Sequence, residues 1–430
     1  MSETLRNFGH LAKLFIITLC ILMGLLFIVW LIPEKAVSDH VNEGIQLLDE
    51  REEAWEEHFS YAWGSNLDNV TDKIMIGRAV SNAEADSSLI FKMFYCNDYA
   101  RYWHGYLVIL RPLLSIMSYV QIRYLYMVIH MMALVGIALK MDKRFGRSMV
   151  YGWVLSMIAV NFISLPFSLQ YSWVYFIMYG ALYYIDSCYR KNALINSDKE
   201  IISFFLVIGM LTSFMDLLTA PLVTLGIPLI YILMLRICSE KESEWRHNII
   251  MTIKASAIWA VGYIGCWLMK WILAVPILKR NLILEAVLRI GVQTKGNLDS
   301  ELGGGGSVPS SLFKALAYNV YALLPPGLVN EIDLNTWLPF FVFVFICMAI
   351  LAVLFIRYHE PKKEIVAYIP VALLMLYPYA WYGVTTRHAQ IHPMFTYRDQ
   401  IVTVMGGWII LSYSISWTKI KQKLGHRYVK

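Results

Sequence analysis

Apolar runs close to the ~20 residues needed to cross a bilayer recur along the whole chain, and runs of that length read as membrane-spanning helices. They lie near 12–32, 122–140, 148–165, 171–188, 200–215, 218–236, 252–275, 337–356, 364–383 and 399–416. The chain has 430 residues, of which 58% are hydrophobic and 16% charged. The expected fold is an all-α polytopic membrane protein with about ten transmembrane helices. The first run follows Arg6. It is too long for a signal-peptide core and has no small-residue cleavage site, so it is expected to remain as a span.

A net charge of +6 could suggest nucleic acid. The Lys and Arg residues, however, gather in short segments between apolar runs: "KMDKRFGR", "CYRKN", "RICSEKESEWRHN", "RYHEPKKE" and the tail "TKIKQKLGHRYVK". The turns "PFSLQ" and "DLLT" contain neither residue. This is a positive-inside pattern, so nucleic-acid binding is rejected and both termini are expected in the cytoplasm. Alternation then places 33–121, 276–336 and 385–400 outside. The chain divides into a transmembrane module over 1–275, a second extracytoplasmic loop over 276–336 and a three-span segment over 337–430. Of the six Cys, five lie in or beside apolar runs, and none has CxxC spacing. No disulfide framework or cysteine metal site is expected.

Both large outer loops contain amphipathic segments. "NEGIQLLDEREEAWEEHF" spaces Ile45, Leu48, Trp55 and Phe59 for one apolar face and is expected to lie on the membrane surface. "GYLVILRPLLSIMSY" carries Arg111 and Pro112 at its centre, which suits a helix entering the interface better than a lipid-facing span. The second loop has "RNLILEAVLRIG" followed by "GGGGS", a glycine run that reads as a mobile gate or hinge.

The candidate chemistry gathers on the same outer face. Asp68 and Asp72 are four apart, a spacing that aims both carboxylates to one side of a helix, toward a cation or a sugar hydroxyl; an ordinary cap or turn uses the same residues. "CNDYARYWHGY" adds Asp98 as a third acid and Arg101, Trp103 and His104 as groups that stack on sugar rings or bind phosphate, although an interfacial aromatic belt accounts for its Tyr and Trp residues equally well. Asp216 ends the fifth span in an apolar setting, as a site residue or as a helix N-cap. Lys270 either snorkels to the interface or binds phosphate. Arg111, Arg280, Arg289, Arg387 and Arg398 are further phosphate or substrate candidates. In "TTRHAQIHPMFTYRDQ", His388, His392, Tyr397, Arg398 and Asp399 are expected to line a rim of the same cavity. The two His could bind zinc, but no third ligand stands at a usual spacing. No metal residue is assigned, and a divalent cation stays open as a cofactor.

A cytoplasmic N-terminus, one span, a long acidic outer loop, spans two to seven with short connections and a second outer loop resemble the GT-C superfamily of membrane glycosyltransferases. "LDNVTDKIM", "YARYWHGY", "FMDLLTAPLVTLGIP" and "IHPMFTYRD" are also similar to stretches of bacterial multi-span proteins of envelope-polysaccharide settings. The resemblance implies a bacterial inner-membrane enzyme that uses a polyprenyl-phosphate-linked sugar and a glycan or lipid acceptor. It also implies an acid of the first outer loop as base, with Asp68 and Asp72 the nearest counterparts. They stand about 35 residues beyond the first span, farther than is common there, and no adjacent acid pair occurs. A polysaccharide polymerase or ligase is the second reading, and a transporter or flippase of lipid-linked substrates the third. No Walker or Rossmann glycine loop is evident, and none is expected if the donor is lipid-linked and used outside the cytosol.

Overall fold

In the computed structural model, residues 3–50, 67–84, 86–189, 197–239, 244–295, 308–323, 365–416 and scattered positions between 342 and 353 are described. Their order is α1 (Glu3–Trp30), α2 (Lys35–Glu50), α3 (Asn69–Gly77), α4 (Leu89–Tyr95), α5 (Leu107–Leu114), α6 (Tyr119–Phe145), α7 (Arg147–Ala159), α8 (Leu169–Tyr189), α9 (Asp198–Met215), α10 (Val223–Cys238), α11 (Trp245–Leu278), α12 (Leu282–Lys295), α13 (Val308–Tyr321), α14 (Ile369–Met375), α15 (Tyr377–Val384), α16 (Thr386–Ile391), α17 (Pro393–Thr396) and α18 (Ile401–Ser414). No strand occurs among the described residues, in keeping with the all-α expectation.

The expected ten spans are found in part. Among the described residues, four helical segments are long and apolar enough to cross a membrane: Arg6–Trp30, Tyr119–Phe145, Trp245–Leu278 and Ile365–Val384. Other apolar runs form shorter helices. The run at 148–165 breaks after Ala159, where Asn161 turns left-handed and the 3-10 helix Phe162–Phe167 begins. The apolar run at 218–236 becomes the short α10, whose residues from Val223 to Arg236 are all buried. A helix that is apolar on every side is satisfied by a surrounding protein shell as well as by lipid. The segment 337–356 and the "GGGGS" gate lie mostly or wholly outside the described residues.

Around α10 pack α8, α9, α11, α14 and α18. The α9–α11 crossing brings two backbones together at reciprocal glycines. A Cβ on Gly209 would stand 2.1 Å from the Trp259 carbonyl oxygen, and one on Gly262 2.3 Å from that of Leu206. Small residues at such crossings let dispersion act over the whole contact, the main attraction available between helices in lipid. On the outside, Val261, Ile264, Leu268 and Ile272 form an exposed apolar stripe along α11 at helical spacing, and Val128, Met132, Val135 and Leu139 form another along α6.

One cluster of ion pairs stands at the end of the bundle away from α2 to α5. Asp186 accepts from Lys140 at 2.6 Å and Arg144 at 2.7 Å, while Asp198 accepts from the buried Arg236 at 2.8 Å. The C-termini of α6, α8 and α10 and the N-terminus of α9 meet there. The α2–α5 subdomain caps the other end. In α2, Val37, Val41, Gly44 and Leu48 are buried against α3, α5 and α6, so the helix packs on protein where a membrane-surface position was expected. Trp55 and Phe59 lie outside the described residues.

Candidate functional site

At the capped end, α11 presents Trp259, Tyr263, Trp267 and Trp271 on one face, because positions four apart fall in line on a helix. Successive rings touch, with centroids 5.1, 5.8 and 5.6 Å apart. These side chains form the floor of a groove of about 430 Å³. Tyr99, Arg101 and Tyr102 wall one side, and Leu218, Trp381, Val384 and Thr385 close the other. Ile264 and Leu268 line it too, and they are also 53% and 43% exposed on the apolar outer surface of α11. The groove therefore opens sideways, where lipid chains would lie.

The wall that carries Arg101 is an irregular loop held by its carbonyl groups. Cys96, Asn97, Asp98 and His104 all have positive φ, an unfavourable conformation that only a firm surround maintains. Arg78 Nε donates to the Cys96 carbonyl at 3.2 Å, a ring nitrogen of His104 bonds the Tyr99 carbonyl at 2.8 Å, and the indole nitrogens of Trp267 and Trp271 donate to the Arg101 carbonyl at 3.0 and 2.9 Å. The Arg101 guanidinium lies 4.7 Å from the centre of the Tyr99 ring. Among the described residues no carboxylate comes within ion-pair distance of it.

Beside Arg101 runs a polar rim. Arg280 pairs with Asp98 and, at 2.8 Å, with Glu285 of α12. The hydrogen bonds that Arg280 donates to Glu285 and Asp98 push its guanidinium pKa up, and the same contact holds the Glu285 carboxyl down. Asp98 is the most accessible of the three sequence-selected catalytic acids.

Asp68 and Asp72 stand elsewhere. Asp68 is the N-cap of α3, accepting from the Thr71 amide at 3.1 Å, with its other oxygen buried. Asp72 is buried and accepts from Tyr119 Oη at 2.7 Å, Ser168 Oγ at 3.1 Å and the amides of Leu169 and Gln170 at 2.9 and 3.2 Å. It fastens α3 to the N-terminus of α8, where the unpaired amides and the helix dipole favour a carboxylate. Burial nonetheless pushes its carboxyl up to about 6, against the pull of those bonds. With both oxygens occupied by donors, Asp72 has no geometry for taking a proton from an acceptor hydroxyl.

Several other sequence-selected residues are internal fastenings. Arg111 is fully buried, donates to the carbonyls of Val29, Ala79 and Ile32, and stacks 4.3 Å from the Trp30 ring. Trp103 donates to the Cys266 carbonyl at 2.8 Å. His104 joins Tyr106 Oη and Tyr99, and burial, with Arg78 next in effect, holds its pKa well below the usual range. Lys270 does not snorkel: it is fully buried, donates to the Phe94 carbonyl at 3.2 Å and lies over the Phe94 and Trp103 rings. Asp216 is buried and accepts from the Thr219 amide and hydroxyl, and burial pushes it up to about 6.

The 385–400 segment does not line the groove as a whole; only Thr385 reaches it. His388 is buried on the Leu218 carbonyl at 2.7 Å, and its ring lies 5.0 Å from that of His392, which stacks on Phe395 at 5.1 Å. Tyr397 is buried. Arg398 is buried over Tyr171 at 3.9 Å and donates to Ser164 Oγ at 2.9 Å and to the Met394 carbonyl. These residues hold α17 and the start of α18 on the bundle. Arg387 is half-buried in α16, and the side chain of Arg289 lies outside the described residues. No group of three His, Cys, Asp or Glu side chains gathers among the described residues.

The comparisons belong beside this geometry. No protein family, curated protein or solved structure compared with the chain matches it. The aromatic ladder of α11 was legible in "WAVGYIGCWLMKW", where four aromatics recur at a spacing of four, but of this stretch only Lys270 was selected as a candidate.

Proposed function

We propose that the protein is a membrane glycosyltransferase that moves a sugar from a polyprenyl-phosphate donor to a glycan or lipid acceptor on the extracytoplasmic side of a bacterial inner membrane. The observation that carries this reading is the laterally open aromatic groove with Arg101 at its rim, where no carboxylate among the described residues pairs with it. Aromatic faces and Ile264 suit an isoprenoid chain entering from lipid, and a guanidinium suits phosphate oxygens where the chain meets water. The resemblance to the GT-C superfamily points the same way, with a different acid as base.

In this reading the donor tail lies along Trp259, Tyr263 and Trp267, and its phosphate meets Arg101. An acceptor hydroxyl oxygen attacks the anomeric carbon. The bond from that carbon to the phosphate oxygen breaks, and the electron pair leaves with the phosphate. The hydroxyl proton passes to Asp98, which Arg280 holds at the rim.

The test is turnover by purified protein in lipid bilayers, supplied with polyprenyl-phosphate-linked sugars and envelope glycan acceptors, with release of polyprenyl phosphate as the readout. Sugar-dependent release that is lost in Asp98→Asn and needs more donor in Arg101→Ala supports the proposal. Movement of intact donor across the bilayer without release would replace it with the flippase reading.

A further inference from the structure

Behind the Tyr99 wall of the groove stand two more cations. Arg78 is buried, its guanidinium lies 4.5 Å from the centre of the Tyr99 ring, on which Arg101 also stacks, and its Nη1 carries no hydrogen bond. Lys270 is buried beside Phe94 and Trp103. Arg78 and Arg101 stack on the same Tyr99 ring, and Arg78 and Lys270 hold the Cys96 and Phe94 carbonyls two residues apart at the end of α4, so the three cations are neighbours in this wall. Among the described residues none of them has a carboxylate within ion-pair distance. Buried charges are ordinarily paired, and an unpaired group of one sign is costly to maintain.

Two features offset part of the excess. The carbonyls of Phe94 and Cys96, which accept from Lys270 and Arg78, lie at the C-terminus of α4, whose dipole supplies about half a negative charge. Asp98 and Glu285 stand nearby, but Arg280 binds both. Counting Arg280, four cations face two carboxylates among the described residues, an excess of about two positive charges beside the groove before the α4 dipole is counted.

We propose that Arg78, Arg101 and Lys270 form an anion site that selects a doubly charged phosphate headgroup. Arg101 touches the ligand from the groove rim, and Arg78 and Lys270 are positioning residues that act through the field behind the wall. The inference rests on the polyprenyl-phosphate reading of the groove and narrows it. A phosphate monoester, the form in which polyprenyl phosphate leaves after transfer, is a dianion near neutral pH, whereas the sugar-linked phosphodiester carries one charge. The site is therefore complementary to the charge that grows on the departing phosphate.

Binding to the purified full chain in detergent decides the question, with three probes that share one tail: farnesyl phosphate, its methyl diester and farnesol. The expected order is monoester over diester by about tenfold, with farnesol weakest, and the monoester preference shrinking as salt rises. Arg78→Gln and Lys270→Gln, each able to donate to the same carbonyl, should bring the monoester-to-diester ratio toward one and leave farnesol binding unchanged. A thermal unfolding scan of each variant verifies the fold, and either variant alone is enough for the test. Equal wild-type binding of all three probes would overturn the anion site and leave the lipid groove standing. A monoester preference that both variants retain, or a parallel loss of farnesol, would also overturn it. Wild type binding none of the probes removes the groove reading and this inference together.

Discussion

Trp271 donates its indole N–H to the backbone carbonyl of Arg101 at 2.9 Å, across 170 residues of sequence. Through this bond, and its companion from Trp267, the aromatic floor of the groove also sets the position of its cation. Trp271→Phe keeps a ring in the floor and removes the donor. The expected cost is about 1 kcal/mol of stability and a several-fold weaker interaction with polyprenyl phosphate. Trp267→Phe should resemble it, and the double variant should exceed either. Binding to the monoester at equal protein folding measures this.

Asp72→Asn is expected to act on the fold. The amide that replaces one carboxylate oxygen must face donors only, since Tyr119, Ser168, Leu169 and Gln170 all donate. A loss of about 2–4 kcal/mol is expected, with a lower midpoint in thermal unfolding. Asp98→Asn, at an exposed rim position, should leave that midpoint within about 0.5 kcal/mol of wild type while sugar transfer is lost. An Asp72→Asn protein of normal stability would count against the cap.

Arg111→Ala would leave the Val29, Ala79 and Ile32 carbonyls without their donor and open a cavity against Trp30. About 3–5 kcal/mol should be lost. Proteolysis in the 67–114 region should speed up, because α1 and α5 are joined there. A normal cleavage rate argues against this role for Arg111.

At the α9–α11 crossing, Gly262→Val would place carbon against the Leu206 carbonyl. The helices must separate, and the groove floor carried by α11 must move with them. The expected result is a loss of about 2 kcal/mol or more and failure to bind farnesol as well as its phosphate. Unaltered farnesol binding would show that the crossing and the groove are independent.

Acid should stabilise the protein through Asp216. Burial pushes its folded-state carboxyl up to about 6, so the folded protein takes up this proton at higher pH than the unfolded chain does. A carboxyl shifted in that direction adds stability as pH falls through about 6 and loses it as pH rises. Between about pH 7 and about pH 5 the gain should be about 1 kcal/mol from this residue. Asp72, also near 6, acts in the same direction. Because Asn mimics the protonated carboxyl, unfolding midpoints of wild type and Asp216→Asn should converge toward about pH 5 and separate toward neutral pH; parallel curves would remove Asp216 from the account.

From the sequence alone came the all-helical, strongly apolar character, the apolar periodicity of α2 and α12, and the segregation of Lys and Arg that places Asp186 and Asp198 in ion pairs at the end opposite the groove. Those properties follow from composition and local spacing, which a linear pattern carries intact. The role of each ionisable residue was decided by tertiary structure. Asp72, Arg111, Lys270 and Arg398 look like a substrate site in a list of charged residues, yet each is buried on a partner supplied by distant chain. Arg78 drew no notice in the sequence, and it stacks on the same Tyr99 ring as Arg101. Whether a charge caps a helix, pins a carbonyl or faces a ligand depends on what lies within hydrogen-bond reach of it, and only packing sets that distance.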